Sequence, residues 1–306
     1  MNRYLVFILV SYLCTFAPQM YAAKLQVVTT TQDAAAIVRS IGGKQVQVES
    51  LTLGTRDPHF TEATPSMIRR VYTANLLVVI GAELEVGWLP TLLETARNSR
   101  VLPGASGYLD LSVNVSLLNR LNAPVSRAQG DVHVHGNPHY WLNPNNGLLM
   151  AQAVAARLSQ LDPAHAALFR SNLTQFEREL KQRLVLWGAA LGALKDKPVV
   201  AYHKSFEYLA QAFEFRVVAE LEPKPGIPPN AAHLQQLIDT IRTQKIRLLI
   251  LEPYYERRSA AYLSDQTGIK AAVLPQSVGA TPNILTYFDL FDAIVRAFQQ
   301  SGGLSL

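Results

Sequence analysis

The sequence predicts an α/β protein with mainly parallel sheets, built as two lobes joined by one long connector helix. Three observations predict it. Short, nearly continuous apolar runs recur along the chain, as strands covered on both faces require. Amphipathic stretches lie between those runs, and strand–helix alternation builds parallel sheets. The central stretch 162–195 has helical periodicity, with no Gly or Pro between Pro163 and Gly188. A length of 306 residues fits about two domains.

The strand runs fall, in chain order, at 25–30, 46–51, 76–80, 199–203, 217–221, 248–251 and 272–274. Thr64-Pro65 reads as an N-cap followed by proline at the first helical position, opening a helix through about Tyr72. Residues 147–161 put Leu148, Ala151, Val154, Ala155 and Leu158 on one helical face. Residues 232–244 do the same with Leu234, Leu237, Ile238 and Ile241. In the central stretch the stripe is Leu168, Leu173, Phe176, Leu180, Leu184 and Leu191. As one helix, 163–194 spans about 48 Å at 1.5 Å per residue, a rigid connector between two α/β halves. The alternative is two helices broken at Gly188 or Gly192. Residues 119–136 have little periodicity and several Gly, Pro, Ser and Asn, so they read as an exposed loop. No internal sequence repeat stands out.

Residues 1–23 read as a targeting segment. Arg3 precedes an apolar run over 4–16, and the segment ends in Tyr21-Ala22-Ala23. This is the pattern of a secretory signal peptide cut after Ala22 or Ala23. The run is shorter than the roughly 20 residues a membrane-spanning helix needs. The single cysteine, Cys14, lies inside it. The residues before it, Ser11-Tyr12-Leu13, are too bulky for a good lipidation box, which favours a cleaved leader over a lipid anchor. One cysteine excludes a disulfide framework and any cysteine-based metal site. The expected division is a signal peptide over 1–23, an N-terminal lobe over 24–161, the connector over 162–195 and a C-terminal lobe over 196–306.

Composition excludes other classes. With 49% hydrophobic and 17% charged residues, the chain can build a core and is not disordered. Lys+Arg exceeds Asp+Glu by 28 − 23 = 5, and no run of five basic residues occurs. That balance gives no nucleic-acid footprint.

The seven histidines carry the chemistry. Three of them, His59, His139 and His203, fall where a strand ends and a loop or helix begins. Ligands bind beyond the carboxyl ends of strands in open α/β sheets, so three such imidazoles can converge on one ion. Pro58 and Pro138 each stiffen the backbone just before a histidine. Spacing alone leaves open both a shared metal site and ordinary capping or core histidines.

Larger patterns resolve this. Asp57-Pro58-His59 is followed by Thr64-Pro65-Ser66, then by Gly136-Asn137-Pro138-His139-Tyr140-Trp141-Leu142-Asn143-Pro144, then by Tyr202-His203 and Leu251-Glu252-Pro253. Together they resemble the cluster A-I, zinc/manganese type solute-binding proteins of bacterial ABC importers. The resemblance covers the whole chain after the leader. It implies two lobes around a metal cleft, with His59 and His139 from the first lobe and His203 from the second. It also implies an acidic fourth ligand on the loop after the last core strand. Here that loop reads Leu274-Pro275-Gln276-Ser277-Val278-Gly279, which departs from the pattern. Glu252 is then a candidate fourth ligand, with a water or the Gln276 side-chain carbonyl as rivals. Glu252 could instead cap a helix or pair with Arg257 or Arg258. Zinc-handling members often carry a long histidine-rich loop before the second ligand. The matching loop here holds only His133 and His135, read as solvated loop residues, with a minor capture site as the alternative. His165 and His233 read as surface residues on helices.

Three neutral imidazoles favour a borderline-soft ion over Mg²⁺ or Ca²⁺. A tetrahedral set of three nitrogens and one oxygen suits Zn²⁺, and Mn²⁺ ranks second because a second carboxylate is missing. The implied function is a periplasmic, monomeric binding protein. It captures a divalent transition metal and delivers it to an ABC permease in the inner membrane, with no nucleic-acid partner and no enzymatic activity. The competing readings are a secreted zinc-dependent hydrolase and a surface adhesin. The cluster His133-x-His135-x-x-x-His139 is superficially like a metallohydrolase motif. It lacks a following Asp-His pair, and no HExxH is present. A His-dominated site should lose affinity below about pH 6.5.

Overall fold

The computed structural model describes residues 24–121 and 133–302. The expected signal peptide, with Cys14, and most of the expected 119–136 loop lie outside the described residues.

Two four-stranded, wholly parallel sheets form the frame. The first contains β1 (Leu25–Thr29), β2 (Val46–Ser50), β3 (Leu76–Val79) and β4 (Tyr108–Asp110) in the order β2-β1-β3-β4. The second contains β5 (Pro198–Ala201), β6 (Arg216–Glu220), β7 (Leu248–Leu251) and β8 (Lys270–Val273) in the order β6-β5-β7-β8. The two orders are the same topology used twice. In each, the chain reverses direction across the sheet next to the first strand, at β1/β3 and at β5/β7. Crevices open at such switch points.

Helices cover both faces of each sheet. They are α1 (Gln32–Gly42), α2 (Pro65–Thr73), α3 (Leu89–Ala96), α4 (Pro144–Leu161), α5 (Ala166–Leu191), α6 (Glu207–Phe213), α7 (Ala231–Thr243), α8 (Arg258–Thr267) and α9 (Tyr287–Gln300). Thr64 caps α2 through a bond from the Met67 N–H, with Pro65 at the first position, as its sequence predicts. Helix α4 starts at Pro144, capped by Asn143, three residues before the apolar face begins at Gly147. Within the expected connector, a 3₁₀ turn over Pro163–His165 leads into α5, and a second over Gly192–Leu194 ends it. The 26 residues of α5 run through Gly188 unbroken, about 39 Å at 1.5 Å per residue.

The strands alternate between two cores, which explains their continuous apolar runs. Val27, Leu76 and Val78 face one large core shared with Val199, Leu248 and Ile250 of the second sheet. Helices α1, α4, α5 and α9 fill that shared core through Ile37, Val154, Phe176 and Phe291. Val28, Leu77 and Val79 face a smaller outer core with Trp88 and Leu92. Val200, Leu249 and Leu251 face its counterpart with Leu237 and Leu263. The shared core makes the two halves one packed body with α5 along it. No helix among the described residues is long and apolar enough to cross a membrane.

Candidate metal centre

The chain brings three distant histidines together. His59, His139 and His203 each offer one ring nitrogen, and these atoms lie within 4.8 Å of one another. Their ring centroids are 5.0 to 5.8 Å apart. His139 and His203 are buried, and the His59 side chain is only 6% exposed.

The two histidines of the first half are held by one repeated local device. In Asp57-Pro58-His59, the Asp57 Oδ1 accepts the His59 backbone N–H at 2.9 Å and its Nδ1–H at 2.6 Å. In Asn137-Pro138-His139, the Asn137 Oδ1 accepts the His139 N–H and Nδ1–H, each at 2.9 Å. An Asx side chain bonding two residues onward makes a turn, and the intervening proline fixes its backbone. Both rings thus carry their proton on Nδ1 and present Nε2 as a lone pair. Asn137 is tied to the second half by bonds to the Lys204 carbonyl at 2.7 Å and the Glu207 carboxylate at 3.0 Å. Next along the chain, Tyr140 donates to the Ile80 carbonyl, and Trp141 donates through its indole N–H to the Gln276 carbonyl.

His203 directly follows Tyr202 beyond β5. Its Nδ1 lies 2.7 Å from the Glu222 Oε2, so its Nε2 also turns toward the other two rings. Glu222 follows β6, and its N–H donates to the Tyr202 carbonyl, which locks the pair across adjacent strands. A carboxylate or carbonyl oxygen on the far nitrogen is the usual orienting partner of a metal-ligating imidazole. Asp57 and Asn137 stand in the quoted motifs, but the sequence alone assigns no role to them or to Glu222. The doubled Asx-Pro-His signal could have found the first two, whereas Glu222 has no local signature.

Protonation differs between the rings. Burial, then the like charge of neighbouring imidazoles, pushes the His139 pKa well below its ordinary value. Burial works against the charge of His203 too, but the Glu222 bond and the charges of Glu252, Glu222 and Asp57 outweigh it and raise its pKa. The His139 Nε2 is buried with no protein partner. An orphaned acceptor of this kind is costly unless a cation or proton donor faces it.

The other expected residues fall as follows. Glu252 is fully buried, but it lies outside the convergent group and neither caps a helix nor pairs with Arg257 or Arg258. Its Oε1 accepts the Ser205 hydroxyl, while its Oε2 has no partner. Burial pushes its pKa up to about 7, against the opposing pull of His203. The Gln276 Oε1 accepts the Tyr254 hydroxyl, and its Nε2 is buried without a partner. His133 departs from a solvated loop residue: its ring is half-buried, and its Nε2 lies 3.2 Å from the His59 Nε2. Chain packing around residues 118–121 brings it there, a long-range effect that loop composition does not reveal. His135 is 75% exposed, as expected. His165 bonds Asp162 in the 3₁₀ turn before α5, and His233 sits on α7 against the Glu220 carbonyl. A cavity of about 220 Å³ leads to the cluster, lined by His133, His139, His203, Asn137, Arg120 and Lys204 among others.

Three nitrogen donors with fixed tautomers, and no nucleophile–base pair among them, suit holding an ion. The comparisons agree. Residues 27–301 match the family model described as zinc-uptake complex component A, periplasmic. The zinc-binding lipoprotein AdcA of Streptococcus pneumoniae is 25% identical over 260 residues, 82% of this chain and 50% of that protein. The high-affinity zinc uptake system protein ZnuA of Brucella abortus is 29% identical over 136 residues, 44% of this chain and 41% of that one. The chain thus spans about half the length, or less, of these curated relatives. A crystal structure of ZnuA superposes with a TM-score of 0.75 at 22% identity, covering 91% of this chain and 99% of that one, which supports the same fold. The match over 27–301 places this chain in the family of zinc-uptake complex component A, periplasmic.

Proposed function

We propose that this protein captures a divalent transition metal, zinc first and manganese second, between its two halves. It works outside the cytoplasm and hands the ion to an ABC permease of the inner membrane. His59 and His139 supply nitrogen donors from the first half and His203 from the second. The observation that carries this is the convergence of three Nε2 atoms whose Nδ1 partners fix them as donors. Neutral imidazoles favour Zn²⁺ over Mn²⁺, which prefers more oxygen. The zinc named in the relatives' descriptions points the same way.

Binding across two halves couples cargo to their relative position. Tyr255, stacked on Tyr202 at 4.1 Å, places its hydroxyl 3.5 Å from the Asp57 Oδ2, so the second half already touches the His59 turn. Asp33 of α1 accepts the Ser277 hydroxyl and the Val278 N–H, a second strut between the halves. With the halves braced in this way and α5 rigid, large closure on binding is not expected. A loaded protein would differ from an empty one mainly around His203.

Calorimetric zinc titration of the metal-stripped protein beside His203→Ala tests the reading. One tight site in the parent, weakened more than about 100-fold in the variant, is the expected result; loss of an inner ligand should exceed the 10–100-fold cost of an outer partner. Unchanged binding in the variant would remove the interlobe site and reopen hydrolase and adhesin roles.

A further inference from the structure

The inference here rests on the metal-site reading and deepens it. We propose that His133 is the fourth nitrogen donor, so that the cargo ion is held by four imidazoles and no carboxylate.

The geometry starts at one contact. The Nε2 atoms of His133 and His59 are 3.2 Å apart. In a tetrahedral zinc site with Zn–N of 2.0–2.1 Å, neighbouring nitrogens are about 3.3–3.4 Å apart. Two ring nitrogens at this separation share either a proton or a cation. His59 gives its Nδ1 proton to Asp57, so its Nε2 is the acceptor. The shared proton therefore comes from His133, and a divalent ion can take its place once that proton moves to the His133 Nδ1, which leaves the ring neutral. The ring centroids agree: His133 is 5.2 Å from His59, as close as His139 at 5.0 Å and closer than His203 at 5.8 Å. His133 also lines the cavity that His139 and His203 line.

His133 lies outside the group whose donor atoms are all within 4.8 Å of one another. That group must itself contract to tetrahedral spacing when it closes on an ion. His133 already stands at that spacing from one member.

Its place is built. The Leu121 N–H donates to the Val134 carbonyl at 3.2 Å, and the Gly136 N–H to the His133 carbonyl at 3.3 Å. The Asn137 N–H donates to the Leu118 carbonyl at 2.8 Å. From the first half, the Glu83 Oε2 accepts the His135 N–H at 3.1 Å. Gly136 makes the intervening bend at φ 123°, where a side chain would strike Leu117 and Leu118.

One oxygen of each rival donor is already engaged, and the free Glu252 Oε2 belongs to a residue outside the convergent donor group. Ligation through the Glu252 Oε1 or the Gln276 Oε1 would compete with the hydroxyls of Ser205 and Tyr254. Leaving a buried hydroxyl unpaired costs about 1–3 kcal/mol. His133 has only to move the proton it shares with His59 from Nε2 to Nδ1. An all-nitrogen set also has a consequence for cargo: it selects zinc over manganese more strongly than a set with a carboxylate.

The test uses metal-stripped parent, His133→Ala, His135→Ala and His139→Ala proteins. Zinc affinity is read by competition with a chromogenic chelator, and coordination by the visible spectrum of the Co²⁺-loaded proteins. His133→Ala should weaken zinc by more than about 100-fold, beyond the cost of an outer partner, and alter the cobalt bands. His135→Ala should match the parent in both readouts. Parent affinity and an unchanged cobalt spectrum in His133→Ala, with binding lost in His139→Ala, would overturn the fourth donor and leave the three-histidine site standing. Parent binding in both His133→Ala and His139→Ala would overturn the site itself.

Discussion

The two halves of this protein use one sheet topology and one device, and they differ by a single oxygen. In each half a buried glutamate follows the third strand and accepts a hydroxyl that follows the first. In the first half the Glu85 Oε1 takes the Thr30 hydroxyl at 2.5 Å and the Ile80 N–H at 2.9 Å, while its Oε2 takes the Gly81 N–H at 3.0 Å. In the second half the Glu252 Oε1 takes the Ser205 hydroxyl, and its Oε2 takes nothing. Burial pushes both carboxyls up to about 7. The nearby charge on Glu85 is another carboxylate, Asp110, whereas Glu252 has an imidazole, His203, as well as a carboxylate, Asp57. The satisfied glutamate closes a switch point and makes it structural. The unsatisfied one leaves a buried carboxyl oxygen open beside an imidazole whose proton it helps to hold. One half therefore supplies rigidity and neutral donors, and the other supplies the donor that exchanges a proton for the metal.

The comparison breaks most readily at Glu222. Glu222→Gln removes the carboxylate that orients His203 and raises its basicity. Zinc affinity should fall about 10- to 100-fold, read by chelator competition. An unchanged affinity would mean that the second half does not set the site.

The pH dependence sharpens the same contrast. His139 is pushed down and stays neutral, whereas His203 is raised above the ordinary imidazole value. Metal needs the neutral ring, so the proton on His203 is the competitor. Affinity should be flat at high pH and fall about tenfold per pH unit below the His203 pKa, beginning above 6.5. Calorimetry in buffers of different ionisation enthalpy should find proton release on binding that grows as the pH falls toward the His203 titration. A fall that begins only well below pH 6 would contradict the assignment. Glu252→Gln should move this fall to lower pH, because it removes a charge that holds the His203 proton.

The smallest effect separates the glutamates. Glu85→Gln turns an amide N–H toward the Gly81 N–H and should cost about 1–3 kcal/mol of stability, read by denaturant unfolding. Zinc affinity should stay within twofold. Loss of zinc binding in a folded Glu85→Gln protein would place the first switch point in the site as well.

Much of this was legible in the sequence. The strand runs at 76–80 and 248–251 announced themselves because both faces are buried, as Leu77 and Leu249 illustrate, whereas the edge strand at 46–51 alternates, with Val46 buried and Gln47 and Glu49 exposed. The three histidines were legible because Asx-Pro-His and a strand-terminal histidine are local patterns. What escaped was long-range or short. Strand β4 has three residues, too few for any periodicity. The repeated topology leaves no sequence repeat, because parallel order is set by packing and helix crossover and not by particular residues. Glu222 reaches His203 only through the pairing of β5 and β6. His133 reaches His59 across 74 residues, through backbone bonds to a segment that composition alone reads as loop.

The central claim is that one ion sits between the halves on imidazoles from both. Anomalous diffraction at the zinc edge from crystals of the zinc-loaded protein addresses it directly. The account predicts one strong peak about 2.0–2.1 Å from the Nε2 atoms of His59, His139 and His203. A peak only at His165 or His233, or one bound by residues of a single half, would contradict it.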